Sequence, residues 1–136
     1  MIIMASLHAQ DLDFHQWKNR VLIIKSEDGK SEQFKQQLKE FETSEAGLKE
    51  RKIALYRIVG NDFWLKDYTG QFANTSGKIT SKFKDEILEA SKNFEVILIG
   101  LDGGVKLRQS SLLSKEQLFQ LIDSMPMRAN ELKRNN

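Results

Sequence analysis

Three short and almost uninterrupted apolar segments most constrain what this chain can fold into. Residues 21–24, 53–59 and 95–100 are rich in branched side chains and are bounded by polar segments. Runs of this kind are typical of strands that are buried on both faces, as in sheets covered by helices. The sequence therefore predicts a central sheet in an α/β fold.

Helical patterns occupy the segments between these strands. Phe34, Leu38 and Phe41 recur at helical spacing between Ser31, a suitable N-cap, and Gly47, a suitable helix stop. A helix that connects two strands by a right-handed crossover makes those strands parallel. We therefore expect the first two strands of the sheet to be parallel neighbours.

The C-terminal half predicts a hairpin followed by a helix. Asp102, Gly103 and Gly104 supply turn chemistry, and the alternation over residues 105–108 indicates an antiparallel fourth strand. Ser114 and Gln117 have capping-box spacing before the stripe of Leu118, Leu121, Ile122 and Met125. With the most apolar strands central, the prediction is a thioredoxin-like α/β fold whose mixed sheet has the order 2-1-3-4 and is flanked by helices.

Length predicts one domain, over residues 10–136, because 136 residues suffice for a single core. Residues 60–78 exceed a usual connection and predict a structured excursion. Residues 1–9 resemble the tail of a signal peptide whose start would lie upstream of Met1, or else form a packed or frayed N-terminal segment. No stretch approaches the roughly 20 apolar residues of a membrane helix.

Composition excludes several classes of function. These 136 residues contain no cysteine, which excludes disulfides, thiolate metal sites and thiol-based oxidoreductase or peroxidase chemistry within them. The formal net charge is only +2, and the longest basic cluster, residues 49–52, is interrupted by Glu50. We interpret that cluster as a solvated helix end, and we expect no nucleic-acid partner.

One part of the sequence resembles a known family. Residues 99–108, with Leu118-Phe119 and residues 122–128, resemble the DUDES family, domain of unknown function 4174. The resemblance implies a relative of thioredoxins and peroxiredoxins that has no assigned activity and is usually exported, hence periplasmic or secreted. The loop at 26–31, where redox-active relatives carry cysteines, has none, and no proline precedes the third strand.

Three cations are candidates for ligand binding. Lys106 and Arg108 are two residues apart on an alternating strand, so they share one face in this prediction and could bind an anion. Alternatively, they discourage edge-to-edge pairing of the sheet. Arg128, predicted just after the final helix, could join them or interact with the last carbonyls of that helix.

Aromatic residues in the excursion are candidates for a recognition surface. Trp64 and Tyr68 accompany Phe63 and Phe72 in a polar segment. The four rings either form a small core of their own or contact a partner. The sequence leaves both interpretations open.

No catalytic, cofactor or metal site is predicted. Ser26 and Ser31 would need a nearby base, and the histidines are His8 and His15. Asp11, Asp13 and His15 have metal-binding side chains, but their spacing is generic, and we expect this segment instead to pack Phe14 and Trp17 on the core.

The functional prediction is a non-catalytic module that binds a protein partner. The alternative is a protein, either a binding protein or an enzyme, that binds a small molecule or anion through the cationic face of the C-terminal hairpin. Oligomeric state and partner identity stay open at this point.

Overall fold

The structure is a computed structural model that describes residues 12–70, 74–88 and 92–135. The predicted signal remnant at residues 1–9 lies outside the described residues, as do His8, Asp11 and Phe72. For Asp13 and Phe14 the structure describes the backbone but not the side chains.

Within the described residues, six strands form one mixed sheet. They are β1 (Arg20–Ser26), β2 (Ile53–Val59), β3 (Asp62–Asp67), β4 (Thr75–Lys78), β5 (Phe94–Ile99) and β6 (Val105–Gln109). Their spatial order is β4-β3-β2-β1-β5-β6. β1 and β2 are parallel, and every other neighbouring pair is antiparallel.

The sheet is larger than the four strands expected from the sequence. Those four are β2, β1, β5 and β6 in spatial order, and the segment at 60–78 adds the hairpin of β3 and β4 beyond β2. Gly60, with φ +57°, begins the turn from β2 into β3. β4 escaped prediction because its sequence, TSGK, carries no apolar alternation.

Five helices and a 3₁₀ turn accompany the sheet in the described part of the chain. After the turn (Leu12–His15) come α1 (Glu32–Glu42), α2 (Glu45–Glu50), α3 (Ser81–Ile87), α4 (Lys115–Asp123) and α5 (Pro126–Asn135). Ser31 caps α1 by accepting a hydrogen bond from the N–H of Phe34. The predicted capping box of Ser114 and Gln117 is confirmed, since both of its reciprocal hydrogen bonds form.

Gly47 does not stop a helix, contrary to prediction. It lies inside α2, where an added Cβ atom would stand 2.7 Å from the ring of Phe119 on α4. The glycine therefore permits close approach of two helices. The left-handed residue that follows α2 is Lys52, with φ +57°, and lysine carries no sequence signal for that conformation.

Two apolar cores lie on opposite faces of the sheet. Alternate residues of β1 divide between them, with Leu22 and Ile24 in the first core and Val21 and Ile23 in the second. α1 and α4 cover the first core through residues such as Phe34, Phe41, Leu118 and Ile122, whereas α3 covers the second through Phe83.

Trp17 does not pack on the core, contrary to prediction. Its side chain is 61% exposed, and its backbone is left-handed, with φ +70°, an uncommon conformation for a bulky residue. Its N–H donates to the carbonyl oxygen of Leu101 at 2.6 Å. The backbone of Trp17, rather than its ring, thus ties the N-terminal segment to the β5–β6 turn.

Among the helices of residues 12–70, 74–88 and 92–135, none has the length and apolarity needed to cross a membrane.

Gln37 clamps α1 to the loop that precedes α4. It is fully buried, and its Nε2 donates to the carbonyl oxygen of Leu113 at 2.8 Å while its Oε1 accepts from the Leu113 N–H at 2.7 Å. Both backbone groups of one loop residue are therefore satisfied by a single side chain.

We predict that Gln37→Leu lowers the free energy of unfolding by about 2–4 kcal/mol, because two buried backbone groups lose their partners. Urea unfolding followed by circular dichroism measures the difference. The matched control is Gln36→Leu at the exposed neighbouring position, for which we expect a change within about 0.5 kcal/mol. Equal effects of the two substitutions would contradict the clamp.

Candidate functional site

Two concave surfaces contain three of the residues that the sequence singled out, Lys106, Trp64 and Tyr68. The first, which we call the hairpin cleft, has a volume of about 440 Å³ and lies between the β5–β6 turn and the α4–α5 junction. It is lined by Arg20, Gly100, Leu101, Asp102, Lys106, Leu121, Ser124, Met125, Pro126 and Met127. Two of the three segments that carry the family resemblance, residues 99–108 and 122–128, thus meet in one cleft.

The β5–β6 turn shapes one wall of the hairpin cleft. Gly103 has φ +85°, a conformation that favours glycine, and the N–H of Gly100 donates to the carbonyl oxygen of Gly104 at 2.9 Å. Asp102 accepts hydrogen bonds from the Gly104 N–H and from Nζ of Lys106, each at 2.9 Å. The hydrogen bond from Lys106, followed by that from Gly104, lowers the pKa of Asp102.

Arg20 lines the cleft from the first residue of β1. Only 1% of it is exposed, and its terminal nitrogens donate to the carbonyl oxygen of Arg51 at 2.9 Å and to both carboxylate oxygens of Glu131 at 3.3 Å. Its Nε is buried and has no hydrogen-bond partner among the described residues. This nitrogen is enclosed by the protein and does not face the open space of the cleft.

Behind the cleft lies what we call the arginine network. It consists of three arginines and three carboxylates: Arg20, Arg51, Arg128, Glu50, Asp123 and Glu131. Arg128, 1% exposed, donates to Glu50 at 2.8 Å, to Asp123 at 3.0 Å and to Glu131 at 3.2 Å. The buried positive charges are therefore matched by carboxylates, as buried charges must be.

Ionisation within the network follows from these contacts. The hydrogen bond from Arg51 lowers the pKa of Asp123, and the one from Arg128 adds to it against the opposing effect of burial. Burial disfavours the charged form of Arg128, but its hydrogen bonds with Glu50, Asp123 and Glu131 outweigh that effect and raise its pKa. Both groups are thus held in their charged forms.

The network corrects two predictions from the sequence. Residues 49–52 are not simply a solvated helix end, because the guanidinium of Arg51 binds Asp123 and lies 3.9 Å from the ring centroid of Phe119. Arg128 does not follow the final helix, because a further helix begins at Pro126, whose fixed φ suits the first helical position. These contacts join residues that are far apart in the chain, so they leave no local pattern in the sequence.

The three predicted ligand-binding cations do not converge. Lys106 pairs with Asp102, while Arg108 pairs with Glu95 and also donates to the carbonyl oxygen of Ile87 at 2.8 Å. A register shift between Leu98 and Ile99 interrupts the alternation of β6. Lys106 consequently lines the cleft beside α4, whereas Arg108 reaches α3 on the other face, and Arg128 lies in the arginine network.

The second concave surface, which we call the aromatic groove, has a volume of about 690 Å³ and lies between α1 and the β2–β3–β4 part of the sheet. Its charged lining residues are Lys35, Lys39, Glu42, Arg57 and Lys66. Trp64, Tyr68, Leu38, Leu55, Leu65, Asn74, Thr75 and Ser76 complete it. Both predicted recognition aromatics therefore line one groove with four cations and one carboxylate.

The aromatic residues of the excursion divide between core and groove. Phe63 is 1% exposed in the second core, whereas Trp64 is 39% exposed. The guanidinium of Arg57 lies 5.3 Å from the Trp64 ring centroid, and Nζ of Lys66 lies 4.8 Å from that of Tyr68. Partial burial, and then the charge of Glu45, raise the pKa of Tyr68, so its hydroxyl stays protonated.

The remaining candidates have structural contacts. Ser31 caps α1, and Oγ of Ser26 donates to the carbonyl oxygen of Asp28 at 2.8 Å. His15 is buried, and its Nε2 lies 2.8 Å from the hydroxyl oxygen of Tyr56. Among the described residues, no group of three or more histidine, aspartate or glutamate side chains is arranged to hold a metal ion.

Comparison with known proteins gives one match. The model of the family described as Domain of unknown function (DUF4174) matches residues 11–131. Neither the curated proteins nor the solved structures contain a match to the chain.

We predict that Asp123→Asn lowers the free energy of unfolding at neutral pH by about 1 kcal/mol, a modest value because solvent screens this partly exposed carboxylate. A carboxyl whose pKa is lower in the folded state stabilises above its unfolded pKa, about 3.9, and loses that stabilisation as pH falls through its folded pKa. The difference between wild type and variant should therefore shrink in acid.

Chemical unfolding at a series of pH values measures this convergence. Asp85→Asn, at an exposed position of α3, is the matched control and should leave stability nearly unchanged at every pH. A stability difference for Asp123→Asn that does not depend on pH would contradict the ionic contribution of this residue.

Proposed function

This chain belongs to the DUF4174 family, and we propose that it serves as a non-catalytic binding module whose aromatic groove takes an acidic protein segment. The proposed architecture is thioredoxin-like and related to peroxiredoxins, and the proposed location is the periplasm or the exterior of the cell. The observation that carries the proposal is the aromatic groove itself, where two accessible rings lie among four cations and one carboxylate.

The topology supports the thioredoxin-like part of the proposal. β1, the helices α1 and α2, and the parallel strand β2 form a β-α-β unit, while β5, β6 and α4 form a hairpin followed by a helix. The proposal of export rests on the apolar segment at residues 2–9 and on the resemblance to exported proteins. Absence of cysteine makes a binding role more suitable than thiol chemistry.

Charge favours an acidic partner for the aromatic groove. Lys35 and Lys39 project from exposed positions of α1, and Arg57 and Lys66 come from the facing strands. Glu42 is the one carboxylate among the described lining residues. Such an excess of positive charge attracts carboxylates and speeds their association, while the rings supply apolar contact area.

The edge of the sheet favours an extended segment. β4 lies at the end of the strand order and contributes Thr75 and Ser76 to the groove. An extended peptide can add to an edge strand through backbone hydrogen bonds, with alternate side chains directed toward the adjacent pockets. Acidic residues at alternate positions of such a peptide would then meet the cations of the groove.

The alternative, an anion held jointly by Lys106, Arg108 and Arg128, receives less support. Each of these cations contacts different carboxylates. Arg108 also lies on the face of the sheet that α3 covers, whereas α4 lies on the other face. The binding role is therefore assigned to the aromatic groove.

We predict that a peptide of about six residues, roughly one strand long, with alternating glutamate and valine quenches or shifts Trp64 fluorescence on binding. Trp17 is exposed too, so the titration uses a Trp17→Phe background in which Trp64 alone reports. Affinity should fall by about tenfold when Lys35 and Lys39 are replaced by glutamate, because two attractive charges become repulsive.

The control is Lys82→Glu, at an exposed position of α3 on the opposite face of the sheet. It changes the net charge in the same direction but should leave peptide affinity nearly unchanged. A peptide with lysine in place of glutamate should bind far more weakly. Equal binding of the acidic and basic peptides would refute the proposed function.

A further inference from the structure

We propose that the acidic segment bound in the aromatic groove continues across α1 and places an apolar side chain in a neighbouring groove beside Leu112. This inference rests on the proposed function, because the aromatic groove holds the first part of the same segment. The neighbouring groove, which we call the leucine groove, has a volume of about 580 Å³ and lies between α1 and the loop that leads into α4. Its lining includes Gln37, Lys39, Glu40, Leu112, Leu113 and Lys115.

Lys39 joins the two grooves. It lines both of them from an exposed position of α1, so a bound chain can pass from one groove to the other over this side chain. An α-helix with its side chains is about 10–12 Å wide, and an extended chain advances about 3.3 Å per residue. A segment that leaves the aromatic groove therefore reaches the leucine groove after about four residues.

The loop beside α4 holds Leu112 in a fixed, accessible position. Its side chain is 41% exposed, and its carbonyl oxygen accepts a hydrogen bond from Nε2 of Gln109 at 3.0 Å. The next residue, Leu113, is held through both of its backbone groups by Gln37. An apolar side chain on a backbone that is already ordered loses little conformational freedom when a partner covers it.

The polar floor of the leucine groove is already satisfied by the protein. The carboxylate of Glu40 accepts the N–H of Lys115 at 2.8 Å, and the amide of Gln37 is used by Leu113. In the described part of the chain, the ammonium groups of Lys39 and Lys115 form no ion pair. The groove therefore offers a partner one apolar side chain and two cations.

The position of Lys115 favours an acidic partner. It is the first residue of α4, where the helix dipole stabilises acidic side chains and opposes cations. Formation of the helix thus does not account for a lysine at this position, whereas attraction of a carboxylate does. Because the aromatic groove also has an excess of cations, one acidic segment suits both grooves.

The two grooves together specify a partner. A small anion fills one groove, whereas only a polypeptide chain spans both. The segment that fits is an acidic strand of about six residues, followed after about four residues by an apolar side chain with an acidic neighbour. The apolar side chain contacts Leu112, and the acidic neighbour contacts Lys115.

The test is calorimetric titration of the full chain with peptides that are capped at both ends. The short peptide alternates glutamate and valine over six residues. The long peptides add three serines, one glutamate and one leucine, at one end or at the other, and their matched controls have serine in place of that leucine. At one end the leucine peptide should bind about tenfold more tightly than its serine control, because partial burial of one leucine side chain is worth about that factor.

Three variants locate this gain in affinity. Leu112→Ser should abolish it, whereas Val105→Ser, at a position that is 50% exposed and outside both grooves, should retain it. Lys115→Glu should lower the affinity of the long leucine peptide about tenfold, and an acidic residue suits the first helical turn, so folding is preserved. The short peptide does not reach the leucine groove and should bind all three variants nearly as it binds the wild type.

The outcomes separate this inference from the proposed function. A gain from leucine that is lost in Leu112→Ser and kept in Val105→Ser supports the leucine groove. If the short peptide binds but leucine adds nothing at either end, or if the gain survives in Leu112→Ser or Lys115→Glu, the inference is overturned and the proposed function stands. Failure of the short peptide to bind refutes the proposed function, and this inference with it.

Discussion

The burial of Arg128 is the constraint on which the organisation of the C-terminal half depends. Its guanidinium joins the end of α2, the end of α4 and the first turns of α5 through Glu50, Asp123 and Glu131. Glu131 also binds Arg20, so the same network reaches the first residue of β1. Removing Glu131, the least exposed carboxylate of the network, would leave buried positive charge without compensation, which costs more than a surface ion pair contributes.

The two concave surfaces arise from different parts of this architecture. The aromatic groove exists because β3 and β4 extend the sheet beyond the area that α1 covers, leaving Trp64 and Tyr68 beside cations. The hairpin cleft lies where the α4–α5 junction, which Arg128 and Asp123 of the arginine network flank, faces the β5–β6 turn. One surface is thus made by an uncovered extension of the sheet, and the other by the meeting of two distant segments.

Local signals predicted the elements that depend on neighbouring residues. The apolar strands, the Ser31 cap, the capping box and the turn at Gly103 are all present, because each involves contacts within a few residues. The prediction for Gly47 was wrong because glycine serves there in packing against Phe119 rather than in ending a helix. The packing partner, Phe119, lies 72 residues later in the chain, so no local sequence pattern could indicate this role of Gly47.

The sequence by itself determined the central strands and the absence of thiol chemistry within these residues, but it left open whether Trp64, Tyr68 and Lys106 serve in packing or in binding. Only the tertiary structure decided how cations and acids pair. Strand alternation predicted that Lys106 and Arg108 share a face, but the register shift in β6 separates them. Charge pairing acts through space between distant segments, whereas strand and helix patterns act along the chain, and for that reason only the latter could be read from the sequence.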